Sequence, residues 1–128
     1  MVVPALGHTY AFFNPAMSPV DNVKVRKALA EAVDRQNLID FVMQSADLPA
    51  TGLVPPGMNV AGQEFRDGTS DFGLAPTAQI EDAQKLLAEA GYPDGKGFPE
   101  TVFMTYSSPP IEKVLEAIQQ MWKQNLNI

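Results

Sequence analysis

The residues of this chain that are able to do chemistry are few and scattered. Histidine occurs once, at His8, and cysteine does not occur, which excludes disulfide bridges, thiolate catalysis and cysteine-based zinc sites. A single imidazole cannot form a two-histidine metal site, and the spacing supplies no partner that would make it a general base. The simpler interpretation of His8 is an exposed or hydrogen-bonded ring near the start of a strand. The sequence therefore predicts no metal site and no cofactor.

The carboxylates and the motif-like segments are explained better by structure than by catalysis. The acidic pair at 81–82 and Glu89 lie on a helix whose other face is apolar, which indicates a solvated face. The serines at 107–108 are not part of a G-x-S-x-G motif and suit a helix cap. The glycines within 94–97 match neither a P-loop nor a dinucleotide-binding motif, because a strand is predicted to follow them. We accordingly predict no catalytic residue and no enzymatic activity.

Two aromatic side chains near the start of the chain are the best candidates for a binding surface. Tyr10 and Phe12 belong to the short aromatic segment Thr9–Phe13, which is typical of a strand. The period of two in a strand places both rings on one face, beside His8. From the residues alone, these rings could be part of a core or could line a cleft.

Composition and charge limit the classes of function that are open to the chain. Its 128 residues are 45% hydrophobic and 19% charged, which is typical of a globular domain or part of one. Fifteen acidic residues outnumber nine basic ones, for a formal net charge of −6, so the sequence predicts no nucleic-acid partner. No stretch approaches the roughly 18 apolar residues that are needed to span a bilayer. The first residues also lack the basic start of a secretory signal peptide.

The first half of the chain predicts a strand, two helices and a loop. The strand covers residues 9–13. A helix then begins at Asn22 with Asp21 as its cap, because apolar residues recur at helical spacing beyond it. Asp34 is predicted to cap a second, shorter helix, which either continues the first with a bend or is separate from it. Residues 46–77 are rich in Pro and Gly and lack periodicity, so we predict one long loop there.

The second half predicts a helix, a strand and a final helix. The third helix begins at residue 76 or 77 and ends at Gly91, which is expected in the left-handed position after the helix. Residues 101–106 form the second strand, and apolar side chains on both of its faces predict cover on both sides. A serine at 107–108 caps the last helix. The order β-α-α-loop-α-β-α indicates an α/β fold class. Because two strands are too few to cover these helices, the sheet would have an open edge able to pair with a second copy.

Four segments have amino-acid sequences that are more specific than helix caps and apolar helix stripes require. Residues 21–35 contain D-N-V-K-V-R-K-A-L and then A-V-D-R, and residues 48–57 read L-P-A-T-G-L-V-P-P-G. Residues 83–93 read A-Q-K-L-L-A-E-A-G-Y-P, and residues 117–126 read A-I-Q-Q-M-W-K-Q-N-L. In this order, and across nearly the whole chain, the segments resemble family 5 of the ABC-transporter solute-binding proteins, the oligopeptide/dipeptide/nickel-binding family.

The resemblance implies a fold and a place for the candidate site. Members of the family have a two-lobed periplasmic-binding-protein fold, and the lobes close on a peptide or small solute. Residues 1–128 would be a fragment of the second lobe, entered along the first strand. In relatives that strand borders the cleft, which makes Tyr10, Phe12 and the neighbouring His8 the ligand-binding candidates. Asn127 replaces the glycine of the commoner family ending, and asparagine also accepts a left-handed conformation.

The resemblance also implies partners and a location. The parent protein would be periplasmic or at the cell surface and would deliver its ligand to an ABC permease. It would contact the membrane only through that permease or through a lipid anchor outside this segment. The ligand itself is not determined, because peptides, nickel chelates, sugars and opines are carried by similar receptors. Two other functions stay open: a stand-alone α/β protein-interaction domain that uses Met121 and Trp122, and a small α/β enzyme fragment that uses His8 and a carboxylate.

Overall fold

Residues 7–67 and 73–128 are described by the computed structural model, and most of their regular elements are helical. The helices are α1 (Val23–Glu31), α2 (Arg35–Asn37), α3 (Ile80–Glu89) and α4 (Pro109–Leu126). A π-helical segment at Leu38–Met43 continues α2, and a 3-10 turn at Pro93–Gly95 follows α3. A small antiparallel hairpin joins β1 (Asn59–Val60) to β2 (Gln63–Glu64). None of the helices in these two ranges is long and apolar enough to span a membrane.

The cap of α1 lies one residue later than predicted. The side chain of Asn22, not Asp21, accepts a hydrogen bond from the backbone N–H of Lys24 at 2.9 Å. Asn22 has the extended backbone that directs a capping side chain forward into the helix, whereas the Asp21 carboxylate accepts from the N–H of Asn22 at 3.0 Å. Asp34 caps α2 as predicted, through the N–H of Asn37 at 2.8 Å. The structure therefore resolves the two helices as separate.

The start of α3 was predicted too early. The helix begins at Ile80, and the carbonyl of Pro76 instead accepts from the N–H groups of Arg35 and Gln36 at 2.9 and 3.0 Å. These two bonds hold residue 76 against the start of α2, so it is not available for a helical turn. The predicted end is confirmed, because Gly91 has φ +101° and donates its N–H to the carbonyl of Ala88 at 3.0 Å.

Two strands that the sequence predicts are absent from the described residues. Neither 9–13 nor 101–106 has strand pairing, and the ladder at β1 and β2 lies instead inside the long loop. A strand needs a neighbouring edge for its N–H and C=O groups, and no other part of the described chain provides one to these segments. The cover predicted for both faces of 101–106 is also wrong here, since Met104 is 90% exposed. The element order β-α-α-loop-α-β-α is corrected to helices with one small hairpin, a mixture consistent with the α/β class.

The core lies where α1 packs against α3 and the end of α4. Three of the residues in this contact are alanines that are fully buried, namely Ala28, Ala32 and Ala83. Their small side chains allow the helices to pack closely. The buried core residues are Val25, Ala28, Leu29, Ala32, Ala83, Leu87 and Leu126. The apolar stripes predicted for α1 and α3 therefore face each other as expected. The stripe of α4 is covered less, because Leu126 is its one buried member among the described residues while Trp122 is half-buried.

Candidate functional site

The three residues predicted as ligand-binding candidates lie together in the structure. The ring centroids of His8 and Tyr10 are 5.1 Å apart, and their planes are tilted by 41°. The rings of Tyr10 and Phe12 are 4.8 Å apart and meet edge to face at 87°. This is the favourable geometry for aromatic pairs. We call His8, Tyr10 and Phe12 the aromatic row.

The aromatic row faces away from the core. Tyr10 is 58% exposed and Phe12 is 83% exposed, whereas the next residue, Phe13, is half-buried and packs against the core. Consecutive side chains thus point to opposite sides, as they do in an extended chain. The alternation inferred for a strand holds here although the strand pairing does not.

A turn and the start of α1 fix the end of the aromatic row. The carbonyl of Asn14 accepts from the N–H of Met17 at 3.1 Å, and its side-chain oxygen accepts from the N–H of Ala16 at 3.0 Å. Further along, the guanidinium of Arg26 donates to the carbonyls of Val20 and Asp21 at 2.8 and 2.9 Å. Because Arg26 belongs to α1, these bonds connect the chain that follows the aromatic row to the helical core.

The chemistry of the aromatic row is that of binding. It offers two exposed rings, a phenol hydroxyl and an imidazole, which suit stacking and hydrogen bonding to a ligand. No described carboxylate forms an ion pair or hydrogen bond with His8. Within residues 7–67 and 73–128, no group of three or more His, Asp or Glu side chains is arranged to hold a metal ion.

The groups with shifted pKa values lie elsewhere and have structural roles. The ammonium of Lys24 on α1 bonds the carboxylate of Glu89 on α3 at 3.0 Å, and this bond lowers the pKa of Glu89. Burial lowers the pKa of Arg35 below the usual value of a guanidinium, while the charge of Asp34 raises it. The guanidinium of Arg35 stays charged at neutral pH, because its pKa falls from so high a value.

A second set of exposed apolar side chains was not predicted as a surface. Val102, Met104 and Tyr106 are 83%, 90% and 72% exposed, and they occupy alternate positions in the segment 101–106. Phe103 lies between Val102 and Met104 in the chain, is less exposed at 40%, and stacks on Trp122 at 5.6 Å and 24°. We call Val102, Met104 and Tyr106 the outward row. The sequence feature that could have indicated this surface is the alternation of side chains between the two faces of the segment, which we interpreted as a strand covered on both sides.

A shallow groove separates the π-helical segment from α4. Its volume is about 740 Å³. Phe41 and Met43 line one side, and Lys113, Glu116 and Gln120 line the other. The groove is open to solvent and contains an ammonium and a carboxylate together, so its charges select no single class of ligand.

Comparison with known proteins identifies what this chain is similar to. Residues 2–128 match the model of a protein family described as bacterial extracellular solute-binding proteins, family 5, middle region. The chain is 32% identical over 127 residues to the oligopeptide-binding protein OppA of Bacillus subtilis strain 168, covering 99% of this chain and 23% of that protein. It is 35% identical over 124 residues to the glutathione-binding protein GsiB of Escherichia coli K12, covering 97% of this chain and 22% of that protein.

Solved structures give the same result. A periplasmic oligopeptide-binding protein of Borrelia burgdorferi superimposes with a TM-score of 0.75 at 38% identity, over 90% of this chain and 21% of that structure. The OppA protein of Burkholderia pseudomallei superimposes with a TM-score of 0.67 at 28% identity, over 87% of this chain and 22% of that structure. The chain thus spans less than a quarter of the length of these relatives.

Proposed function

Because this chain belongs to family 5 of the bacterial extracellular solute-binding proteins, we propose that it is a piece of an ABC-transporter receptor that captures peptides or a similar small solute for import. The observation that carries the proposal is the family match, which extends over residues 2–128. Two of the relatives named above support the ligand class, since the Bacillus subtilis protein is an oligopeptide-binding protein and the Escherichia coli protein is a glutathione-binding protein.

The proposed mechanism is closure of two lobes around the ligand. Residues 1–128 would form part of the second lobe, with 46–77 as a long loop within it. A ligand that binds the closed arrangement more tightly than the open one shifts the equilibrium toward closure. Closure and transfer to a permease require no covalent step, and we propose no enzymatic activity and no cofactor.

The aromatic row is the part of this chain that we propose on the ligand side. Its rings are exposed and in contact with one another, so they form a continuous aromatic surface. The residues that follow the aromatic row form a hydrogen-bonded turn next to the core, and this turn fixes the position of the backbone at the end of the row. An aromatic side chain of a peptide that packs on one such ring gains about 0.5–1.5 kcal/mol beyond the burial of area.

The two rival functions have less support. A stand-alone interaction domain would need a free Trp122, but its indole N–H bonds the carbonyl of Leu29 at 2.9 Å and its ring stacks on Phe103. An enzyme fragment would need a carboxylate beside His8, and the described residues place an aromatic ring there instead. Neither arrangement favours the rival.

We further propose a location and contacts for the parent protein. It would act in the periplasm or at the cell surface, and it would contact the membrane only through the permease or through a lipid anchor outside this segment.

The outward row would allow weak self-association of the isolated chain, because it is exposed and its backbone is unpaired. Sedimentation velocity over a range of concentrations tests this, and a strictly monomeric chain at high concentration would contradict it.

Calorimetry on the full-length protein tests the binding function. Synthetic oligopeptides and glutathione are titrated into the unchanged protein and into a Tyr10→Ala/Phe12→Ala double variant. The control variant is Phe41→Ala, which removes another ring, 71% exposed, from the π-helical segment. We expect the double variant to lose about tenfold in affinity, equivalent to about 1.4 kcal/mol, and the control to bind as before.

The outcomes separate the function from the site. If the unchanged protein binds none of the peptides, the proposed ligand class is wrong. If it binds them and the double variant binds equally well, the aromatic row is not on the ligand side, while the transport function stands.

A further inference from the structure

Phe13 follows the aromatic row directly and points to the opposite side. It is half-buried and packs against the buried core residues that α1, α3 and α4 share. The neighbouring Phe12, by contrast, is 83% exposed. Two adjacent phenylalanines thus have opposite environments, and contact with the core decides which of them lies inward.

The inward position of Phe13 is set by its own packing. Side chains alternate sides in any extended backbone, so the residue that packs inward also sets the side of its neighbours. A shift of one residue would turn Tyr10 and Phe12 toward the core and Phe13 away from it. In the same conformation, further residues of a longer parent chain can only remove more solvent from Phe13, so its inward side is retained.

The residues after Phe13 hold its backbone beside α1. Pro19 is buried, and Val20 packs against the same buried core residues as Phe13. The guanidinium of Arg26, on α1, donates to the carbonyl of Val20 at 2.8 Å. These contacts place residue 13 next to the core, and its ring then selects the face of the segment that is turned inward.

We propose that Phe13 is a positioning residue, which packs against the core and so holds the rings of Tyr10 and Phe12 on the ligand side. That side rests on the proposed function, whereas the orientation of the aromatic row rests on contacts within the described chain. A small residue at position 13 removes the preference for one face, so the fraction of molecules with the row outward falls. The apparent dissociation constant for a peptide rises in inverse proportion to that fraction.

Hydroxyl-radical footprinting of the full-length protein without a ligand tests the orientation. The rate at which an aromatic side chain is oxidised follows its contact with solvent, and mass spectrometry assigns the oxidation to single residues. In the unchanged protein we expect Phe12 to be oxidised faster than Phe13. In Phe13→Ala the ring of Phe12 can take the vacated place, so its oxidation is expected to slow about twofold, as an outward fraction of about one half implies. Phe13→Leu keeps an apolar side chain against the core and is expected to preserve the rate.

Calorimetry on the same proteins, with synthetic oligopeptides, tests the consequence for binding. Phe13→Ala is expected to weaken binding by about twofold to tenfold, the upper limit being the loss expected for Tyr10→Ala/Phe12→Ala. Adding Phe13→Ala to that double variant should cause no further loss, because Phe13 acts on affinity through the two rings. Phe13→Leu is expected to bind as the unchanged protein does.

Phe98→Ala is the matched control. Phe98 is also half-buried against the buried core residues, but it lies after α3, where its ring meets that of Tyr92 at 5.1 Å. Its truncation removes a ring of the same size from the core, and we expect the oxidation of Phe12 and the peptide affinity to stay unchanged. Circular dichroism at the temperature of the measurements shows whether each variant is folded. Phe13→Val takes the place of Phe13→Ala if the alanine variant is unfolded.

The outcomes separate the positioning role from the proposed function. The proposal is overturned if Phe12 is oxidised no faster than Phe13 in the unchanged protein, or if Phe13→Ala leaves the oxidation of Phe12 as it was. A further loss of affinity in the triple variant, or an equal loss in Phe98→Ala, also overturns it, because Phe13 would then serve the core in general. If the oxidation of Phe12 slows as expected but the unchanged protein binds no peptide, the proposed ligand class is wrong while the orienting role of Phe13 stands.

Discussion

Gly95 lies where the turn after α3 meets the end of α4, and its replacement by alanine is expected to destabilise the fold strongly. Gly95 has φ +72°, a conformation that side-chain-bearing residues rarely adopt. An added Cβ would lie 2.5 Å from the carbonyl oxygens of both Leu126 and Asn127, and 2.8 Å from Cγ2 of Ile128. Two of these atoms belong to the backbone, so the end of α4 would have to move away by nearly an ångström to restore ordinary contact.

The magnitude follows from three contributions. The left-handed conformation costs alanine about 1–2 kcal/mol, and the smaller entropy of the unfolded chain returns about 0.4–1 kcal/mol. Forcing a methyl group against packed neighbours costs about 1–3 kcal/mol more. Movement of α4 would also disturb buried Leu126 and the bond from Asn127 Nδ2 to the carbonyl of Asp94 at 3.0 Å. We expect a total loss of about 3 kcal/mol in the free energy of unfolding.

Gly97→Ala is the matched control for this prediction. Gly97 has φ +77° in the same turn region, but nothing lies within 4 Å of its added Cβ. It carries the conformational cost alone, and we expect a loss of about 1 kcal/mol or less. Urea denaturation, followed by the fluorescence of Trp122, measures both variants. Equal losses for Gly95→Ala and Gly97→Ala would show that the close approach to α4 does not restrict residue 95, and the reasoning would be refuted.

Three further substitutions test the packing and the charges. Leu87→Ala removes a side chain that is 1% exposed, and we expect thermal unfolding to show a loss of about 2–5 kcal/mol; a loss below about 1 kcal/mol would contradict the assigned core. Lys24 lowers the pKa of Glu89, so their contact stabilises the fold above the ordinary carboxyl pKa of 4.5 and this contribution is lost as pH falls through the lowered pKa. Glu89→Gln should therefore be less stable at neutral pH and indistinguishable in strong acid, and a difference that persists in acid would oppose this account. Glu31 is 4% exposed, its Oε2 has no hydrogen-bond partner among the described residues, and Lys27 is 3.6 Å from its other oxygen. Glu31→Gln should change chemical stability by less than about 1 kcal/mol or increase it, and a loss above about 2 kcal/mol would reveal a stronger partner.

The candidate site was partly accessible from the sequence. The period of two placed Tyr10 and Phe12 on one side with His8, and the rings lie in contact as that period requires. That period is a property of any extended backbone, so it held without strand pairing. Whether the rings lie at a cleft or in a core could not be predicted, because exposure depends on what the remaining chain places above them.

The packing of α4 against the end of α1 includes side-chain hydrogen bonds that sequence reasoning missed. Trp122 and Asn125 were interpreted by their helical spacing, yet their polar atoms bond backbone carbonyls 93 positions earlier in the chain. Backbone carbonyls are the same in every residue and leave no pattern in a sequence. Such partners are found only when the helices are seen packed together.

The sequence by itself determined several local features of this protein. The Asp34 cap, the left-handed Gly91 and Asn127, and the apolar stripe within each of α1 and α3 depend on neighbours within one or two turns, so their residue types were sufficient. The tertiary structure alone decided which predicted strands find a partner, where α3 starts and which carbonyls hold α4. Each of these depends on a strand edge, a hydrogen-bond donor or a packing surface that belongs to a distant segment of the chain. Local residue preferences do not predict which distant segment will lie nearby.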